Sequence, residues 1–277
     1  MLSRSTPFGA LGDRLSIPSS AAQPFAGFEP APPHLFHRIE DAFTRRPDSA
    51  SILQGVRAFR KGRPHVRVVL VPSPKNGQHF IACEGRLEAG FALSLEIDPD
   101  VMAFRTQPFL LPSSSGRALV CDFAIQRSDH SYVVVDVKPK GQLERESVKQ
   151  RMRIVRAALS DAGIPHRTIT EVKLERQPAR DIREHLRKGA SILLSPFGRE
   201  QLLTALGTRL VRVSELRVMA ITLGLPVLSV ERLALLGDLT FPISAPWRES
   251  TLIGATHGTD HSASHGWGTV RDVRVPV

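Results

Sequence analysis

The sequence predicts an α/β protein: a mixed sheet flanked by helices, followed by a mainly helical region. Three observations point there. Over residues 84–172 the apolar spacing runs helix, strand, strand, strand, helix, strand. Two of those strands, in RALVCDFAIQR and YVVVDVKP, are joined by the four-residue turn SDHS, so an antiparallel meander is expected. From about residue 177 the spacing becomes helical almost throughout.

The elements follow in order. Residues 1–33 are rich in Pro, Ser, Ala and Gly and read as a flexible arm. A helix begins at Leu35 with FHRIEDAFTRR, and VRVVLVP reads as a strand before the turn PKNG. In EGRLEAGFALSLEIDPDV, Leu87, Phe91 and Leu95 recur at helical spacing, and Pro99 ends the helix. The three strands come next. A long helix is expected over about 142–162, with Val148, Met152, Val155 and Leu159 on its apolar face. HRTITEV reads as a further strand. Four helices and two strand-like pieces, DLTFPI and STLIGA, then suggest a winged-helix-like module over 176–254. The remainder, 255–277, is rich in Gly, Ser and His and reads as a flexible tail. The first 34–175 stretch, after the arm, is the candidate catalytic domain.

Composition bounds the function. The chain has 277 residues, with Lys+Arg 37 against Asp+Glu 27 and a net charge of +10. A hydrophobic share of 42% and a charged share of 23% exclude a disordered, collagen-like or coiled-coil chain. Two cysteines, Cys83 and Cys121, exclude a disulfide scaffold and a Cys-rich zinc module. No run of about 18 apolar residues is present, so no membrane partner is expected. The first twenty residues lack the apolar core of a secretory signal, and a cytoplasmic location is expected. The basic excess points to a polyanion, with nucleic acid foremost.

The chemistry is carried by three side chains. Asp122 falls within one apolar strand, and Asp136 and Lys138 end the next. The strand period of two puts Asp136 and Lys138 on one face. Asp122 reaches the Asp136 end if the hairpin is staggered or splayed there. An aspartate among Val, Ile and Phe resists burial unless it is paired or holds a metal. Carboxylates of this kind hold Mg²⁺ through hard oxygen ligands. Such an ion activates water and polarises a phosphoryl oxygen, while a lysine stabilises the developing charge. Glu88 and Glu84, one turn apart on one face of the preceding helix, are candidates for a third carboxylate. A plain ion pair among the same residues is the competing account. Glu171-Val172-Lys173 repeats the acid-x-lysine spacing, but without a second aspartate on a neighbouring strand.

These motifs resemble a known family. The element order with Asp…Asp-x-Lys resembles the restriction-endonuclease-like fold of PD-(D/E)xK nucleases. More specifically, Glu88, Asp98-Pro99-Asp100-Val101, Gln107-Pro108, Asp122 and Asp136-Val137-Lys138 resemble the catalytic domain of TnsA-like endonucleases, subunits of heteromeric transposases. The resemblance implies cutting of the 5′ strands at transposon ends, in double-stranded DNA. It implies a DDE-type transposase partner for the 3′ strands and an AAA+ ATPase regulator. It implies Mg²⁺, with Mn²⁺ as a substitute, held by Glu88, Asp122 and Asp136, and Lys138 as the catalytic lysine. A bacterial, nucleoid-associated setting follows. This sequence has Asp136 where the family commonly has Glu or Gln. A stand-alone nuclease of defence or repair, and a DNA-binding assembly subunit with weak catalysis, are the alternatives.

Other residues have lesser expectations. Lys140, Arg145, Lys149, Arg153 and Arg156 could track phosphates beside the site, and Gln107 is a further DNA candidate. The two helices around Gly224-Leu225-Pro226 invite a helix-turn-helix reading, but the second is rich in Leu and Ala, which favours core packing. His257, His261 and His265 recur every four residues in the tail, and Trp267 is a candidate anchor for a partner.

Overall fold

The computed structural model describes residues 35–57, 67–111, 118–256 and 267–268. The first half runs α1 (Leu35–Thr44), β1 (Ile52–Leu53), β2 (Val68–Ser73), β3 (His79–Glu84), α2 (Arg86–Ile97), β4 (Val101–Thr106), β5 (Leu110–Leu111) and β6 (Leu119–Val120). It continues with β7 (Phe123–Arg127), β8 (Tyr132–Val137), α3 (Lys140–Leu143), α4 (Glu146–Asp161) and β9 (His166–Ile169). The second half comprises α5 (Glu171–Leu174), α6 (Ala179–Leu186), α7 (Pro196–Leu206), β10 (Val211–Arg212), α8 (Val213–Thr222), α9 (Ser229–Leu236), β11 (Leu239–Pro242), β12 (Leu252–Ala255) and β13 (Trp267–Gly268).

The fold is mixed α/β. A four-stranded sheet has the order β4-β7-β8-β9, with β4, β7 and β8 antiparallel and β9 parallel to β8. The predicted meander is therefore present. Alternation along its strands explains the layering. Phe123, Ile125, Val133 and Val135 face Phe91 and Leu95 of α2, with the Phe91 ring edge-on to Phe123 at 5.0 Å. Ala124 and Val134 face Val155 and Leu159 of α4. Helices thus cover both sides of a sheet whose strands are apolar on both faces. A second sheet, β1-β3-β2, joins the α2 side.

Several expectations are corrected. Asp122 is not inside a strand but at a bend between β6 and β7, because β6 leaves the main sheet to pair with β5. Phe123 pairs with Val135, so the same register sets Asp122 opposite Asp136 with no stagger needed. Glu84 ends β3 instead of sharing a helix turn with Glu88, since Gly85 turns the chain at a φ of 90°. The long helix is interrupted: Arg145 takes an extended backbone (ψ 128°) and starts α4 as its N-cap. The strand after it ends at Ile169, and Glu171-Val172-Lys173 lies in the short helix α5. That removes the second acid-x-lysine from any strand end.

The region after residue 176 has its own core of α6 to α9 with Phe241 and Trp247, and Ile97 at the end of α2 joins it. Helix α9 is buried over most of its length, as a core helix is, so no free recognition face remains on it. Its fully buried Glu231 is paired with Arg217 from α8, which also reaches Glu249. The small sheet here has the order β10-β12-β11-β13. Trp267, expected in the tail, lies in β13 against β11. His257, His261 and His265, and the arm over 1–33, lie outside the described residues. Among the described residues no helix is long and apolar enough to cross a membrane.

Candidate active site

The bend that carries Asp122 is tied from two sides. The Gln107 N–H donates to the Asp122 carbonyl at 2.8 Å, and Arg151 from α4 donates to the Val120 carbonyl at 2.5 Å. So held, the Asp122 carboxylate turns to the end of β8. Its Oδ2 accepts from the Val137 N–H at 2.8 Å and from Lys138 Nζ at 2.5 Å. Lys138 Nζ also lies 3.7 Å from Asp136 Oδ1. One ammonium therefore stands between two aspartates on adjacent strand ends.

Asp136 is fully buried. Its Oδ2 is 2.8 Å from Nε2 of His166 on β9, and its Oδ1 makes no hydrogen bond. Glu88 enters from the first turn of α2, where helix geometry favours an acid. The Glu84 N–H donates to its Oε2 at 2.7 Å.

The electrostatics describe one centre. Burial, then the nearby Asp122, pushes Glu88 up to about 8. Burial, then Asp136, raises Asp122 above the usual carboxylate range, although Lys138 and the Val137 N–H oppose this. For Lys138, burial disfavours the charge, but Asp122 and Asp136 outweigh it and its pKa is raised. Lys138 is thus held as an ammonium, an electrostatic partner of both aspartates. Three carboxyl groups crowd around one lysine here, and Asp136 Oδ1 is buried without a hydrogen bond. Donors of this chemistry, all carboxylate oxygens, fit a hard divalent cation. Among the described residues, though, no three His, Cys, Asp or Glu groups are already converged as a metal site. In this arrangement the Lys138 ammonium fills the gap between the aspartates.

The other predicted residues fall in two places. Lys149, Arg153 and Arg156 are exposed on α4, within roughly 60° of its circumference at 100° per residue, and Arg145 is exposed at its N-cap. Arg153 is partly engaged by Glu146 at 3.3 Å. Lys140 is exposed at the start of α3, its N–H held by the Glu171 carboxylate at 2.8 Å. Gln107 is buried beside the Asp122 bend with a φ of 43°, a support of that bend and not an exposed contact. Burial keeps both thiols, Cys83 and Cys121, well above their ordinary range, as inert core fillers are.

Two residues at the site escape sequence reasoning. Arg151 falls off the exposed α4 row by the helical period, a signal that it faces the sheet. His166 carries no such signal, because its meaning depends on the parallel pairing of β9 with β8 across the whole of α4.

Buried aspartates bridged by a lysine, at the end of a helix-flanked mixed sheet, make a compact acid–lysine centre of the kind that phosphodiester hydrolases use. One stretch of the chain is similar to such a family. Residues 98–171 match the family model of the TnsA-like endonuclease N terminal, which supports assignment to the TnsA-like endonuclease family and suggests nuclease activity in general. The matched stretch contains Gln107, Asp122, Asp136, Lys138, Arg151 and His166, while Glu88 precedes it. A search of curated proteins gives no match.

Proposed function

We propose that the protein is a Mg²⁺-dependent DNA endonuclease that cuts the 5′ strands at transposon ends, as one subunit of a heteromeric transposase. The observation that carries this reading is the Lys138 ammonium bridging Asp122 and Asp136, with Glu88 electrostatically joined to them. Its catalytic unit is restriction-endonuclease-like, and the helices with the small sheet after residue 176 are a winged-helix-like module.

In this reading Asp122, Asp136 and Glu88 hold the ion, for which Mn²⁺ substitutes. When bound, the ion supplies an activated water and a Lewis acid for the phosphoryl oxygen. The chain's own residues do the rest. Asp122 is preset by the Val137 N–H and the Gln107–Arg151 clamp on its bend. Lys138, kept charged by its neighbours, stabilises the negative charge that builds on the phosphoryl group. The exposed α4 row and Lys140 hold the DNA backbone beside the site. A DDE-type transposase cuts the other strands, and an AAA+ ATPase governs the assembly.

The test is strand-specific cleavage of transposon-end DNA with Mg²⁺, with and without the partner subunits. Asp122→Ala and Lys138→Ala should each lower 5′-strand nicking by at least roughly 10²-fold, with assembly on the DNA intact. Wild-type nicking by both variants would overturn the site. Efficient sequence-specific cutting by the protein alone would favour a stand-alone nuclease instead.

A further inference from the structure

The His166 imidazole is a buried polar ring with one hydrogen bond, on a residue that is itself only half-buried. Its side chain is 2% exposed, its Nε2 is 2.8 Å from Asp136 Oδ2, and its Nδ1 has no partner. An ionised carboxylate only accepts, so Nε2–H is the donor. Burying an imidazole with one nitrogen unsatisfied costs stability that an apolar residue would not. The fold itself gains nothing evident from the ring. What it touches is Asp136.

Its placement is fixed by backbone. Strand β9 pairs in parallel with β8, with Val134 opposite His166 and Asp136 opposite Thr168. Hydrogen bonds on both sides lock that register: Val134 N–H to the Pro165 carbonyl and Lys138 N–H to the Ile169 carbonyl, each at 2.9 Å. The imidazole is thus anchored to the same two strands that carry the acid–lysine centre. A lone aspartate carboxylate can rotate to exchange its two oxygens. The His166 bond pins Oδ2 and leaves Oδ1, the oxygen without a hydrogen bond, as the one within 3.7 Å of Lys138 Nζ.

We propose that His166 is a positioning residue that holds the short Asp136 side chain so that a single oxygen, Oδ1, is presented to the metal and Lys138. The proposal rests on the nuclease reading above. The imidazole hydrogen bond supplies the rigidity that a lone carboxylate lacks. Partners of this kind around ligating carboxylates are worth roughly 10–100-fold in metal affinity or activity when removed.

The experiment uses the full chain with its partner subunits and Mn²⁺ as the probe. His166→Phe fills the space without a donor. His166→Gln puts an amide nitrogen near the position of Nε2. Mn²⁺ affinity is read from the electron paramagnetic resonance of the free ion, and kcat and KM from cleavage of end DNA. His166→Phe should weaken Mn²⁺ binding and lower kcat, each by roughly 10-fold or more, with KM for DNA unchanged. His166→Gln should recover most of both. If the Phe variant does not fold, the smaller His166→Leu carries the same expectation. Wild-type affinity and kcat in the donor-less variant would overturn the proposal alone, as would equal losses in the Gln and donor-less variants. A wild-type chain that neither binds Mn²⁺ nor cuts would overturn the nuclease reading and this proposal with it.

Discussion

At the scale of single residues, the buried acids of the centre oppose folding when they ionise. Glu88 shows this best. Its carboxyl is pushed up to about 8 by burial and by Asp122, against an ordinary value of 4.5. A group whose folded pKa is raised contributes stability below its unfolded pKa and loses that contribution as pH rises through the folded one. Without divalent ions, stability should therefore decline between about pH 4.5 and 8. Glu88→Gln removes the ionisation and can still accept from the Glu84 N–H. Above pH 8 in chelator it should be more stable than wild type by at least about 1 kcal/mol, a rise in Tm of roughly 2–4 °C. Near pH 4.5 the two should melt together, and Mg²⁺ should narrow the difference at high pH. Thermal melts across this range decide it; a variant no more stable than wild type at pH 8.5 would remove Glu88 from the charged centre. Loss of nicking in the same variant would show that the destabilising acid is kept for function.

At the scale of elements, the site depends on strand ends and the bends that join them. Gly55 is one support. A Cβ there would lie 2.4 Å from the Gln107 Cβ and 2.8 Å from the Thr106 carbonyl oxygen. The Val56 N–H donates to the Gln107 carbonyl, and the Gln107 N–H holds the Asp122 carbonyl. Gly55→Ala must therefore push the 106–107 segment, and with it the Asp122 bend. Overpacking of this kind costs roughly 1–3 kcal/mol. Nicking should fall by more than the loss of folded protein explains, which activity normalised to the folded fraction would show. What the sequence discloses here follows from how far each signal reaches. Alternation along β7 and β8, and the spacing of Phe91 and Leu95, are local, and they place the meander, α2 and the three residues Asp122, Asp136 and Lys138. The exit of β6 into a separate pair with β5 is not local. It moves Asp122 from strand to bend. The break at Arg145 and the two-residue β1, paired in parallel with β3, are too short to leave a periodic trace. His166 reaches Asp136 only because β9 returns parallel to β8, a pairing that no window of sequence contains.

At the scale of the whole molecule, with a net charge of +10, acids and bases take separate places. Glu88, Asp122 and Asp136 gather at the centre, where Lys138 bridges the two aspartates and His166 bonds Asp136. The surplus of base is left outside, and part of it forms the exposed row on α4 from Arg145 to Arg156. Arg153 is already partly neutralised by Glu146, so the row's free charge falls on its other members. If that row lies along a DNA backbone, each residue that neutralises a phosphate releases counterions and steepens the salt dependence of binding by about 0.9 in log–log slope. Lys149→Ala with Arg156→Ala should then flatten the slope by about 1.8. The cleavage position should stay where it is, because neither side chain touches the acid–lysine centre. Removing two residues from a merely solvated face would instead leave the slope unchanged at any salt. Binding of end DNA measured between about 50 and 200 mM salt separates the two outcomes, and an unchanged slope would strip α4 of its place in the DNA path while leaving the site itself intact.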